Sequence, residues 1–372
     1  MKNHSLRFHW SLSQAGNSFR RAGNTKEMTG LIRFDDQLNL CLRAEENGID
    51  SMLMAIGFTR PDPLLLTVAL GQETKKLKFM VAVRSGLISP AYYVQQLNTA
   101  SAIIGDRIHI NVVSGHTPSE LKYYGDFLDH DERYARTGEF IQVCRLFWGN
   151  NGPVNFNGNF YQVENGTIKT PFNSPYGRPE IYIGGNSAQS ANQVIEHGDC
   201  LWRFPDAPDV IQEKTKSVIA AGKQAGFLAS IIARPTQSEA EDAALQLLNN
   251  FSGKNTSAQE DFYKNSDSVG FKTILETAFA NQSSWITPYL WNGAVPYLGA
   301  PSIAFVGSYE NIAKALMNYK KIGVTQYLFM GWPDEEEIVH FGQGVLPIIR
   351  KMEQDIIVGS KNKITEILTG NG

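Results

Sequence analysis

The chain has 372 residues, enough for one large domain or two of average size. Its composition, 42% hydrophobic and 19% charged, is that of a globular protein and excludes a disordered one. A net charge of −3 offers no electrostatic basis for binding nucleic acid or an anionic membrane.

The three cysteines, Cys41, Cys144 and Cys200, are odd in number and far apart. They read as reduced core residues of a cytoplasmic protein, not as a disulfide frame or a metal site. No apolar run approaches the length of about 18 residues that a membrane span needs. Arg7 and His9 interrupt the opening segment, so it has no signal-peptide core.

The predicted elements alternate. Residues 6–12 read as a strand, and 13–30, rich in Gly, Asn, Ser and Arg, as a mobile loop. A helix over 35–47 is stopped by Gly48. Then come a strand (50–56), a helix (63–73), a strand (77–83), a helix (90–104) and a strand (107–113). A helix follows over 133–148, which Asp129 or Asp131 can cap. Residues 153–163 break the rhythm and read as a hairpin turning at Asn157-Gly158.

The alternation then resumes. A strand is predicted over 180–183, a helix over 188–197 and a strand over 199–203. A helix over 209–225 is ended by Gly226, and a strand (229–234) and helix (238–250) follow. Residues 251–301 read as a long irregular insertion. A helix (308–322), a strand (326–330) and a helix (335–352) finish the chain. Eight strands, each trailed by a helix, predict a single (β/α)8 TIM barrel spanning 1–372. The hairpin at about 153–163 and a lid-like stretch at about 251–300 would be its insertions. An open doubly wound sheet is the alternative, but no Gly-x-Gly-x-x-Gly follows the first strand.

Candidate site residues fall near strand ends, where a barrel keeps its chemistry. Asn111 is a polar residue near the end of an apolar strand, either a core hydrogen-bonding group or a ligand contact. Gly184-Gly185-Asn186-Ser187 ends a strand and opens a helix. It reads either as a tight turn with Ser187 as N-cap or as a phosphate cradle. Arg133 and Tyr134 could serve a capped helix start or reach a phosphate. Arg60 and Arg84 lie on the rim, in salt bridges or on a substrate, and Glu120 is either solvated or part of the site. No metal spacing, P-loop or nucleophile elbow is present. Side-chain chemistry is poorly advertised, which favours an organic cofactor that brings its own reactivity.

Seven motifs in order resemble the bacterial luciferase-like flavin monooxygenases, nearest their alkanesulfonate monooxygenase branch. They are Asn111-Val-Val-Ser-Gly115, Gly125-Asp-Phe-Leu-Asp-His-Asp-Glu-Arg-Tyr134, Phe156-Asn-Gly158, Gly184-Gly-Asn-Ser187, Asp267-Ser-Val-Gly270, Trp291-Asn-Gly293 and Phe305-Val-Gly307. The resemblance covers residues 8–347. It implies FMN at the C-terminal face of the barrel, reduced by a separate flavin reductase. Dioxygen would form a flavin hydroperoxide that oxygenates a small organic substrate. It further implies Ser187, Gly185, Arg133 and Tyr134 at the phosphate, Ile56 and Gly57 along the ring, Glu120 beside it, and Asn111 at the ring edge. Asn111, Arg84 and Arg60 become the candidates for catalysis, and a homodimer or homotetramer the expected assembly.

The departures concern the substrate. The sulfonate enzymes carry a cysteine where this chain has Arg60, an arginine and a histidine at Leu228 and Ser230, and a lid arginine at Leu298. A tyrosine of theirs is Trp332 here, and a tryptophan is Phe204. The pocket expected from Trp10, Phe58, Phe204, Tyr297, Leu298 and Trp332 is apolar and aromatic. A buried anion without cationic partners is costly, so the expected substrate is not a simple alkanesulfonate. A deazaflavin-dependent hydride transfer on the same barrel and a degenerate flavin-binding protein are the rival expectations.

Overall fold

The computed structural model of the chain describes residues 4–12, 33–57, 60–115, 117–149, 152–250, 256–280 and 283–369. The 13–30 stretch, apart from its surroundings, and Phe58 lie outside them. Thirteen strands are assigned among the described residues: β1 (Arg7–Ser11), β2 (Ser51–Met54), β3 (Lys78–Val83), β4 (Ile108–Val112), β5 (Val154–Asn157), β6 (Gln162–Gly166), β7 (Ile181–Gly184), β8 (Cys200–Arg203), β9 (Gln224–Arg234), β10 (Trp285–Thr287), β11 (Leu290–Trp291), β12 (Ala304–Ser308) and β13 (Val324–Met330). Eight of them, β1, β2, β3, β4, β7, β8, β9 and β13, pair in parallel in that order. The ring closes where Phe8 of β1 pairs with Tyr327 of β13. This is the expected (β/α)8 barrel.

Helix starts follow their caps. Asp62 accepts from the amides of Leu64 and Leu65 ahead of Pro63–Glu73, with Pro63 in the first turn. Asp129 and Glu132 close a reciprocal pair at 2.9 Å each way before His130–Gly149, so Asp129 is the cap of the two considered. Thr236 and Glu239 form a capping box for Gln237–Asn249.

Period-two alternation sorts the barrel strands into a lining that packs on the helices and a lining that fills the lumen. The lumen side is layered. At the bottom, Arg7 holds Glu180 through two bonds of 2.7 and 2.6 Å, and His9 bridges Ser51 and Gln326 at 2.7 and 2.9 Å. Above them Tyr182 and Trp202 stack at 5.3 Å beside Leu53, Met80 and Leu328. Gly226 makes room for that indole: a Cβ there would come within 2.4 Å of the Trp202 ring. The top layer is small, with Ser11, Ala55, Ala82 and Gly184, and a cavity opens over it.

Four expectations need correction. The helix expected to run to residue 225 ends at Ala220, because Gly222, at φ +74°, turns the chain before Gly226 is reached. The strand after it consequently starts at Gln224. Its part up to Ser230 pairs with β8 and β13, and from Ser230 onward it pairs with β12, a strand the sequence pattern did not single out. The insertion expected to be irregular carries helices Ser257–Asn265 and Val269–Ala280, and β10 and β11 extend the sheet from β12. The hairpin turns over four residues, with Gly158 N–H bonded to the Tyr161 carbonyl, not over a two-residue turn.

Candidate active site

The cavity at the C-terminal mouth of the barrel has a volume of about 320 Å³, at the lower end of the ~300–1,000 Å³ of ligand pockets. Every barrel strand reaches it: Ser11, Leu53, Ala82, Asn111, Gly184, Trp202, Leu228 and Leu328 come one from each. The depth of the cavity follows from the small top-layer residues, whose side chains do not fill the lumen.

One end of the cavity is a cradle for an anion. Ser187 is the N-cap of Ala188–His197 and accepts from the Ser190 amide at 3.2 Å. The Tyr134 hydroxyl stands against Gly185 on the same wall, and burial raises the phenol above its ordinary value, so it stays a donor. Gly184, Gly185, Ser187 and Tyr134 all line the cavity. A Cβ at Gly185 would meet Ser190 Cβ and Oγ at 2.6 Å, so only glycine fits this turn. A hydroxyl, a phenol and the positive end of a helix dipole thus converge, the donor set that an anion uses.

The deeper wall holds unsatisfied polar atoms. Asn111 Oδ1 is buried without a hydrogen-bond partner. Arg84 is buried, donates from Nη2 to Glu120 Oε2 at 3.0 Å and lies 5.6 Å over the Tyr124 ring. Its Nε and Nη1 are left without partners. Buried polar groups are normally satisfied. These atoms belong to residues that line one apolar slot, and an acceptor with two donors matches the edge of a planar heterocycle that presents both N–H and carbonyl groups.

Of the residues expected at the site, Asn111, Arg84, Arg60, Ile56, Tyr134, Gly185, Ser187 and Phe204 line this cavity. Glu120 stands behind Arg84 as its ion-pair partner, and Gly57 sits against Arg60 and Glu120. Phe58 lies outside the described residues. Trp10 is a correction: it alternates with Ser11, faces the helices, and donates to Asp334 Oδ1 at 2.7 Å. Arg133 is not on the cavity wall itself: its donors go to the Ser114 and Leu128 carbonyls and to Asp267 Oδ2, with which it forms an ion pair.

The expected aromatic pocket divides in two. Phe204 meets Phe271 edge to face at 5.2 Å on the cavity wall. Tyr297, Leu298 and Trp332 pack instead with Ile232, Trp291 and Val306 in a cluster of their own. Ser230 belongs with them: it accepts from Trp332 Nε1 at 2.9 Å and donates to the Pro301 carbonyl at 3.0 Å. Ser230, Leu298 and Trp332 therefore are not on the cavity wall, because the β9–β12 pairing draws them over its edge.

Sequence reasoning gave no role to several lining residues. His130 lies on the cavity with its ring 4.8 Å from that of Tyr134. Asp267, Ser268, Val269, Gly270 and Phe271 bring the insertion onto the cavity. The Asp267-to-Gly270 motif was the available signal. Arg203 touches the cavity too, but its guanidinium donates to the Lys214 carbonyl at 3.2 Å, beneath the next helix. Among the described residues no group of His, Cys, Asp and Glu could hold a metal ion.

A model of the luciferase-like monooxygenase family matches residues 6–326. The chain belongs to that family. This luciferase-like protein is therefore an enzyme of the flavin-dependent monooxygenase class. It is similar in fold to the EDTA monooxygenase of Chelativorans sp. BNC1, at 17% identity and TM-score 0.74, with 94% of each chain covered. A riboflavin lyase, solved with modified FMN and riboflavin, is 18% identical at TM-score 0.73, covering 94% of this chain and 92% of that one. An F420-dependent secondary alcohol dehydrogenase, solved with an F420-acetone adduct, is 18% identical at TM-score 0.64, covering 93% and 99%. In the luciferase-like protein, no helix of the described residues is long and apolar enough to cross a membrane.

Proposed function

We infer that the luciferase-like protein is the oxygenating component of a two-component, FMN-dependent monooxygenase acting on a small organic substrate. The observation that carries this is the pairing of two ends of one cavity. Ser187 and Tyr134 offer an anion site at one, and Asn111 and Arg84 offer unsatisfied polar atoms at the other. Reduced FMN, when bound, would supply the electrons with which dioxygen is activated and one oxygen atom passed to the substrate.

The chain's own residues would do the rest. Ser187, Tyr134 and the Gly184-Gly185 turn would hold the phosphate, with the helix dipole behind them. Asn111 and Arg84 would fix the ring edge, and Ile56 would lie along the ring. Glu120 would hold Arg84 in place. Arg84 and Asn111, positioned before reaction, would stabilise negative charge developing on oxygen. Phe204, Leu228 and Leu328, which line the cavity, would exclude water from the reacting centre.

The substrate side is apolar. Leu228 lines the cavity where the sulfonate enzymes carry an arginine, which supports a substrate other than a simple alkanesulfonate. Arg60, at the rim, would bind a carboxylate or phosphate on such a molecule. A reductase that delivers the reduced cofactor, and assembly as a dimer or tetramer, belong to the same proposal. All three cysteines are buried and free, which suits a cytoplasmic, reducing setting.

The test is a metabolite screen with oxygen-18 gas, purified enzyme, a flavin reductase and FMN. Incorporation of one labelled atom, dependent on FMN, supports the proposal. Turnover that needs a reduced deazaflavin and proceeds without oxygen would establish hydride transfer in its place. Oxygen consumption uncoupled from every substrate would mark a degenerate flavin binder.

A further inference from the structure

The Arg133 guanidinium is buried, and it is committed to a carboxylate of the insertion. Asp267 accepts from it through Oδ2, while Asp267 Oδ1 is buried with no partner. Asp267 itself lines the cavity, at the end formed by Tyr134, Gly185 and Ser187. A negative side chain thus stands among groups arranged to receive a negative ligand. Its charge is felt by the Tyr134 phenol, whose ionisation it opposes together with burial.

Two facts make this more than a surface ion pair. Arg133 carries neighbouring loops as well, through Nε to Ser114 at 3.2 Å and Nη1 to Leu128 at 2.9 Å, so it is rigidly held. Asp267, by contrast, is tied to the insertion: the turn after it is closed by the Ser268 amide on Ser266 Oγ at 3.2 Å and the Phe271 amide on Ser268 Oγ at 3.4 Å. When a phosphate enters, the insertion carboxylate is the partner free to yield.

We propose that Asp267 is a specificity-determining residue: a stand-in for the cofactor phosphate that occupies Arg133 until the phosphate displaces it. This rests on the reading of the cavity as a site for a phosphorylated flavin. The like charge of Asp267 opposes the phosphate, and its departure gives the phosphate a buried guanidinium. The position of the 266–271 segment is thereby coupled to the phosphate and not to the ring.

The experiment compares FMN with riboflavin, by quenching of flavin fluorescence, in the wild type and in Asp267→Asn. The variant keeps the size of the side chain and removes its charge. FMN should bind about tenfold more tightly to the variant, as expected for one like-charge contact removed near a partly buried site, and riboflavin should be unchanged. Weaker or unchanged FMN binding, or an equal change for both ligands, overturns the proposal. In the wild type, FMN and not riboflavin should speed hydrogen exchange at the amides of 268–272, and equal exchange with the two ligands overturns it independently of any variant. A wild-type protein that binds neither flavin overturns the cofactor reading itself. Wild-type FMN binding that Asp267→Asn leaves untouched overturns this inference alone.

Discussion

The Tyr134 and Ser187 hydroxyls line one cavity at the mouth of the barrel, one from the helix His130–Gly149 and the other from the turn after β7. Two segments remote in sequence therefore present their hydroxyls to one cavity. Truncation to Ser187→Ala or Tyr134→Phe should weaken FMN binding on the order of tenfold to a hundredfold, the worth of a hydrogen bond to a charged group. Riboflavin, without the phosphate, should lose little. Isothermal titration of both ligands checks it, and Ser187→Ala should also cost about 1 kcal/mol of stability through the lost cap.

Gly185→Ala should harm both folding and binding. The added methyl would sit 2.6 Å from Ser190 Cβ and Oγ, against a fully buried side chain in the first turn of the helix. The expected cost is about 1–3 kcal/mol, as for other overpacked sites. A lowered thermal midpoint together with weaker flavin binding is the outcome to look for.

Ala82→Leu should separate binding from stability. Ala82 is part of the small top layer that leaves the cavity floor low. A leucine there fills space that is otherwise empty, so the thermal midpoint should change by only a few degrees. Flavin affinity should fall at least about tenfold, since the slot is closed to a planar ring.

Acid should unfold the protein through the polar layer at the barrel bottom. Burial lowers His9 to about 3 and His109 to about 4. Burial alone would raise Glu180, but its paired bonds from Arg7 more than offset that and hold it at about 2. All three lie below their ordinary values, so the unfolded chain binds more protons as pH falls. The stability they contribute is present above about pH 6.5 for the histidines and 4.5 for Glu180, and is lost as pH falls towards their folded values. Burial instead raises Glu337 to about 7 despite Arg234. Its contribution is present below about pH 4.5 and is lost as pH rises through 7. Thermal melts should therefore fall most steeply below about pH 4.5, and Glu337→Gln should steepen the fall between about pH 7 and 4.5, where Glu337 opposes the histidines.

Much of this was legible in the sequence. The eight barrel strands announce themselves because a β-branched run between glycine or asparagine turns is short, local information. Ser187, Gly185, Asn111 and Arg84 were found for the same reason, each lying at a strand end. What was missed is nonlocal. Trp10 looked like a pocket aromatic, yet its facing depends on which parity of β1 enters the lumen, and that is set by the pairing of His9 with Ser51 and Gln326. The partner of Arg133 lies in the insertion, at Asp267, where no periodicity could have revealed it. The likeness to the sulfonate enzymes points Ser230, Leu298 and Trp332 at the cavity, whereas the structure gathers them beside Ile232 and Val306, which the β9–β12 pairing brings together.

The most direct measurement is a crystal structure of the protein soaked with FMN. The account predicts the ring over Ala82 with its edge at Asn111 and Arg84, and the phosphate bonded to Ser187 and Tyr134. Flavin absent from the barrel mouth, or a phosphate held away from Ser187 and Tyr134, would contradict it.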